Sequence, residues 1–183
     1  MTKNILLFAF VIFTLQACTG VYFESPQPKN SNSISNFDKS IQGHFSSCDS
    51  DTLVITDTKI LLKDKSSNNN EGLINDNVIL RQLNNYLVIN IKDSIKNQPV
   101  WQVMLIQFAS DSLKLICTDL PVDSIKIRLK GITPFKEIKN NEGKTTDFLI
   151  DPDSSDFRKL IQKGLFNKTL SFKRISFEVN NPQ

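Results

Sequence analysis

Residues 78–117 read VILRQLNNYLVINIKDSIKNQPVWQVMLIQFASDSLKLIC, and the alternation within them decides the fold class. Val78 to Leu83, rich in apolar residues, falls within the period-two region that runs from Phe37 onward and reads as a strand. Asn84-Asn85 follows as a two-residue turn, because Asn tolerates the positive φ of tight hairpins. Leu87, Ile89 and Ile91 then alternate on the return strand. Val100 to Phe108, with Trp101 near its start, is apolar on both faces and reads as a central strand covered on both sides. Ser110-Asp111 turns it into a strand carrying Leu113, Leu115 and Cys117.

Working outward, Leu53 and Ile55 alternate with Thr52, Val54 and Thr56, and Asp57-Thr58 turns the chain into Ile60 and Leu62. Ser66 to Asn70 is a polar loop. On the C-terminal side, Pro121 and Asp123 precede an alternation of Ile125, Ile127 and Leu129 with Lys126, Arg128 and Lys130. That pattern predicts an amphipathic strand with a basic wet face. A helix follows, with Asp153 or Ser154 as its cap, Asp156 in the first turn, and Phe157, Leu160 and Ile161 on one face. Gly164 ends it. The last strand runs from Leu170 to Val179, and its inward phase switches between Phe172 and Ile175, which predicts a bulge near Lys173-Arg174. Strands recurring roughly every eight to twelve residues predict a mainly β domain. The expected architecture is an antiparallel meander closing into a barrel, with a β-sandwich as the alternative.

The N-terminus has a different character. Lys3 precedes an apolar run from Ile5 to Leu15, and Ala17 and Cys18 close it. That order is a secretory signal peptide. Ile5 to Ala17 is 13 residues, short of the ~20 that span a bilayer. Cys18 after a small residue resembles the lipobox of bacterial lipoproteins, which implies that Cys18 is lipidated after removal of residues 1–17. The expected organisation is a signal peptide over 1–17, the lipidated cysteine with a flexible tether over 18–36, and the β domain over 37–183. A tether of that length reaches on the order of 20–25 Å. Its apolar knot, Val21-Tyr22-Phe23, is expected to dock on the domain as an extra strand.

Charge and cysteine usage narrow the functions further. The chain carries 22 Lys and Arg against 19 Asp and Glu, a net charge of +3, which falls to +2 once residues 1–17 are gone. Such balance leaves no electrostatic footprint for nucleic acid. Cys48 and Cys117 are in an exported chain where disulfides form. A bridge between them would close a loop of about 70 residues and stabilise the fold by roughly 4 kcal/mol. Two thiols, with Cys117 inward, are the alternative. His44 is the sole histidine, so any Ser-His or Cys-His chemistry would have to use it. Cys48 lies four residues away, without a third orienting group. Asp49/Asp51 and Asp151/Asp153 suit turns and caps, no Gly-rich phosphate loop occurs, and the ligand spacing of a zinc site is missing. The expectation is a non-enzymatic protein without cofactor or metal.

The succession of meandering strands, a helix and one final strand is similar to a lipocalin-type barrel, and Gly43-His44-Phe45 resembles that family's Gly-x-Trp with Phe in place of Trp. The chain also resembles small, functionally uncharacterised lipoproteins of Bacteroidota. The shared features are Pro26-Gln27-Pro28, Ile150-Asp151-Pro152, Asp156-Phe157, Gly164-Leu165-Phe166 and Lys173-Arg174-Ile175. This resemblance implies an outer-membrane lipoprotein and imports no activity. It further implies O-glycosylation at Asp-(Ser/Thr)-apolar tripeptides, of which Thr52, Ser94, Ser112 and Ser124 are the hydroxyl positions. Two functional readings follow. One is a module that binds a small apolar ligand in the barrel, lined by Phe45, Trp101, Met104 and Phe108, unless these simply fill the core. The other is a non-catalytic accessory or assembly subunit of an envelope complex.

Overall fold

The computed structural model describes residues 20–63, 69–75 and 77–175. The expected signal peptide, Cys18, residues 64–68 at the start of the expected loop, and the expected last strand beyond Ile175 lie outside the described residues, while Asn69 and Asn70, expected in that loop, belong to a strand. The chain opens with β1 (Gly20–Phe23) and β2 (Ser33–Ile34), and a meander follows: β3 (Gly43–Ser46), β4 (Thr52–Ile55), β5 (Lys59–Lys63) and β6 (Asn69–Leu73). Three longer strands form the middle, β7 (Val78–Leu83), β8 (Tyr86–Ile95) and β9 (Gln98–Ala109), and β10 (Ser112–Cys117) leads into α1 (Val122–Leu129). The chain then forms β11 (Phe135–Lys139), β12 (Thr145–Ile150), α2 (Ser154–Gln162) and β13 (Lys168–Arg174).

All 13 strands join one sheet that branches at β9. One edge of β9 pairs with β8 from Gln98 to Gln107. Its other edge is shared: Leu105 to Ala109 pairs with β10, while Trp101 pairs with Phe23 of β1. From β10 the sheet continues through β13, β3, β4, β5 and β6, and from β1 through β12 to β11. Every pairing is antiparallel except β1 with β12. The expected antiparallel meander, curled in the manner of a lipocalin-type barrel, is therefore present as a half-barrel.

The two-sided reading of β9 has a direct physical counterpart. Val103 and Leu105 point to one face, where they join Ile125 and Leu129 of α1, Phe157 and Leu160 of α2, and Phe148 and Ile150 of β12. Ile106 points to the other face and joins Phe45, Leu53, Ile55, Leu113 and Phe172 inside the curl. The hairpin turns also follow the residues. Asn84 has φ 51°, and Lys96 and Asn97 between β8 and β9 have φ 50° and 65°. In α2, Asp153 is the cap and accepts from the Ser155 and Asp156 amides at 2.8 Å each, and Gly164 follows the helix with φ 72°.

Three expectations are corrected. Residues 125–129 are not a strand but part of α1, which starts after Pro121 with Asp123 in its first turn. In a strand Ile125, Ile127 and Leu129 would share a face, whereas a helix aligns only Ile125 and Leu129. Those two are fully buried and Ile127 is 73% exposed. No bulge interrupts β13 near Lys173-Arg174: its register against β10 and β3 is continuous, and Ile175 faces outward at 40% exposure. Finally, the segment read as a flexible tether is laid onto the domain from Gly20 onward.

Side chains far away in sequence hold that segment. Val21 and Phe23 are buried in β1, as the docked knot predicts. Asn90, fully buried in β8, accepts the Gln27 N–H at 2.5 Å and donates to the Gln27 carbonyl at 2.8 Å. Arg81 donates to the Pro26 and Pro28 carbonyls at 2.7 Å each, and burial lowers its pKa. Lys29 pairs with Asp151 at 2.6 Å, and the Ser154 hydroxyl donates to the Lys29 carbonyl. β2 then pairs with β7 through Ser33 and Ile34. Backbone groups without ladder partners must find others when buried, and Asn90 and Arg81 supply them.

Candidate functional site

A cavity of about 470 Å³ lies at the mouth of the half-barrel, beside the turn between β7 and β8. Its wall on the sheet side is Leu87, Ile106 and Phe108, and Leu87 and Ile106 are cross-strand neighbours. Ile34, Phe37 and Ile41 of the segment before β3 form the facing wall, and Asn36, Asp38, Gln82 and Asn85 make a polar rim. A smaller cleft of about 250 Å³ adjoins on the other side of Ile34, over Val78 and Ile79.

The lip of this cleft is fixed by polar contacts. The Phe37 N–H donates to the Asp57 carbonyl at 2.7 Å, and the Gln42 amide donates to the Phe37 carbonyl at 2.8 Å. Asp38 accepts from the Ser40 N–H at 2.8 Å, and the side-chain and backbone hydrogen bonds from Ser40 hold its carboxyl below the ordinary value. Arg174 pins the lip from the far end of the chain. Its guanidinium donates to the Gln42 carbonyl at 2.5 Å and the Ser40 carbonyl at 2.6 Å. The same plane lies 4.7 Å from the Phe45 ring centre and 5.6 Å from that of Phe108, which themselves meet edge-on at 6.3 Å. Gly43 is required here. Its φ is +144°, and a Cβ would sit 2.5 Å from Arg174 Nη1.

Of the four side chains expected to line a ligand site, three share the inner face and only Phe108 reaches the cleft. Phe45 is fully buried beneath it, and Met104 packs against the same core. Trp101 is on the opposite face of the sheet, packed toward the helices. An inward start at Trp101 is one residue out of phase with Met104, Ile106 and Phe108, since strand side chains alternate. In the cleft wall from Ile34 to Ile41, Ile34 and Asn36 come from the segment read as tether, and Phe37 and Ile41 come from the start of the β domain, where no alternation marks them.

The other candidates scatter. Ser46, Lys173 and Ser112 lie in one row across β3, β13 and β10. Cys48 follows just beyond that row, whereas Cys117 is five residues along β10, about 16 Å away in strand rise alone. Disulfides require Cα atoms about 4.4–6.8 Å apart, and Cys48 and Cys117 are not bonded to each other. The expected pairing is thereby corrected. Thr52 and Ser112 are half-buried near that same end, Ser124 is half-buried in α1, and Ser94 is exposed on β8. His44 is exposed on β3. Among the described residues no group of three or more His, Cys, Asp or Glu is placed to hold a metal, and no helix is long and apolar enough to cross a membrane. Comparison of the chain with protein-family models, curated proteins and solved structures finds no match.

Proposed function

We propose that this is an exported, non-catalytic protein, held on the bacterial outer membrane by a lipid on Cys18, whose β domain binds a small apolar ligand in the mouth cleft. The anchor rests on the sequence order from Lys3 to Cys18, and residues 1–17 are removed as a signal peptide. One observation carries the binding reading. The cleft has six apolar side chains facing one another under a polar rim, and its 470 Å³ falls within the about 300–1,000 Å³ of small-molecule sites. The rim amides of Gln82 and Asn85 suit the polar end of an amphipathic ligand.

Dansylundecanoic acid is a suitable probe. Wild-type protein is expected to bind it with enhanced fluorescence, and Ile41→Trp and Leu87→Trp, which fill the cleft, are expected to lose binding while unfolding at the wild-type temperature. Binding retained in both variants, or absent from wild type, overturns the reading. O-glycosylation of the Asp-Ser-apolar type would fall first on the exposed Ser94, and an intact mass equal to the bare lipidated chain removes that idea.

A second reading, an accessory subunit of an envelope complex, draws on a different observation. Phe37, Phe45 and Phe172 are fully buried inside the curl, so the interior is filled and only the mouth is open. A specific envelope partner in cross-linking, together with native mass spectrometry free of any co-purified small molecule, would favour it.

A further inference from the structure

We propose that the domain sits directly on the headgroups of the leaflet that holds its anchor, with the tips of the β11–β12 and β8–β9 hairpins as the contact surface. The inference rests on the reading of Cys18 as the lipidated residue. It follows from where Gly20, the first residue of β1, is held. The Gly20 N–H donates to Asp147 Oδ1 at 3.0 Å, and Gly20 to Phe23 pairs with Asp147 to Ile150. Gly20 sits close against its neighbours, and a Cβ there would lie 2.6 Å from the Tyr22 ring and 2.7 Å from Asp147 Oδ1. Only Cys18 and Thr19 then separate the lipid from a fixed strand, a reach of at most about 7 Å.

Direction follows from the parallel pairing. Because β1 and β12 run the same way, the Gly20 end of β1 lies at the end of the sheet where β12 begins. That is the side of the Asn140 to Gly143 turn, whose Asn140 Oδ1 accepts the Glu142 and Lys144 amides at 3.0 Å each. The tip of the β8–β9 hairpin lies beside it, with Lys96 Nζ 3.5 Å from the Lys139 carbonyl. Lys96, Lys139 and Lys144 are exposed and take part in no ion pair among the described residues. Three acids share this pole with the lysines: Asp147 accepts from the Gly20 N–H, Asp93 from the Ser94 N–H and the Gln102 amide, and Glu142 is exposed, while Glu137 pairs with Lys126. The polar tips, with Lys96, Lys139 and Lys144 exposed and balanced by those acids, suit a surface contact with phospholipid headgroups rather than insertion.

The test uses full-length protein purified from membranes and reconstituted in vesicles of phosphatidylethanolamine and phosphatidylglycerol. A fluorophore is placed at Asn141 or at Asn85 in a Cys48→Ser, Cys117→Ala background, and the vesicles carry headgroup nitroxides. Asn85 is the far-pole control, separated from Lys96 by the ten residues of β8, about 30 Å. Intact mass first establishes whether Cys18 is acylated. The expected result is quenching at Asn141 and none at Asn85, and a flexible insert of about 15 residues after Thr19 abolishes the quenching at Asn141. An acylated protein with Asn141 unquenched, or with Asn141 cross-linked to a protein partner in cells instead, overturns the seating and leaves the anchor intact. An unmodified Cys18 overturns the anchor, and the seating with it.

Discussion

Asn90→Leu isolates what holds the N-terminal segment to the sheet. Leucine has the same branched heavy-atom skeleton as asparagine and leaves no cavity, but it removes the partners of both backbone groups of Gln27. The Asn90 contacts at 2.5 Å and 2.8 Å are lost while Gln27 stays fully buried. An orphaned buried polar group costs about 1–3 kcal/mol, so two cost about 2–5 kcal/mol after the small apolar gain of leucine. For a domain of this size that is a drop of about 5–15 °C in Tm. Urea unfolding followed by Trp101 fluorescence is the assay of choice. Trp101 is the single tryptophan and pairs with Phe23, so it reports on docking of β1 as well as on the core. If the segment instead peels away and water satisfies Gln27, the global loss is smaller, but residues 24–36 become sensitive to protease. A variant within about 1 kcal/mol of wild type, with that segment still protease-resistant, would refute the reasoning.

Arg174→Lys keeps the charge but loses the plane stacked on Phe45 and Phe108 and one of the two carbonyl contacts, and should cost about 2–4 kcal/mol in urea unfolding. Arg174→Ala should cost no less; near-neutral behaviour of both would show the lip to be held by something else. Cys48→Ser should leave stability within about 0.5 kcal/mol of wild type, whereas a loss near the roughly 4 kcal/mol of a 70-residue cross-link would show that the sulfurs pair. Asp153 has its pKa lowered, first by the Asp156 backbone N–H. Its contribution is therefore present above the ordinary value of 3.8 and disappears as pH falls through the lower folded value. Asp153→Asn, which caps without ionising, should be less stable than wild type at neutral pH and converge with it in strong acid. A constant gap between the two across that range would contradict the assignment.

The sheet was legible where its information is local. β8 and β10 alternate, the turns carry Asn, Ser and Asp, and the double coverage of β9 shows in the apolar run Val103 to Ile106. α1 was hidden because Ile125 and Leu129 fit both periods, and only the exposure of Ile127, which a strand would turn inward beside them, selects the helical one. The N-terminal segment was hidden for a different reason. Its polar, Pro-containing composition is that of a linker, while its order comes from Asn90 and Arg81, more than 50 residues away. That segment supplies Ile34 and Asn36 of the mouth cleft, and Phe37 and Ile41 just after it lie outside any alternating run, so the candidate site was legible only on its sheet side, at Phe108. Trp101 was misplaced by one residue of phase.

The parallel register of β1 against β12 also fixes how the fold bears mechanical load. A pull on the chain at Thr19 acts along the axis of β1, so the contacts from Gly20–Asp147 to Phe23–Ile150 are strained together in shear and not opened one after another. Behind them the Gln27 clamp to Asn90 is loaded in the same direction. A tug on the N-terminus thus meets a group of bonds that must fail at once, a geometry suited to a domain carried by its first residues.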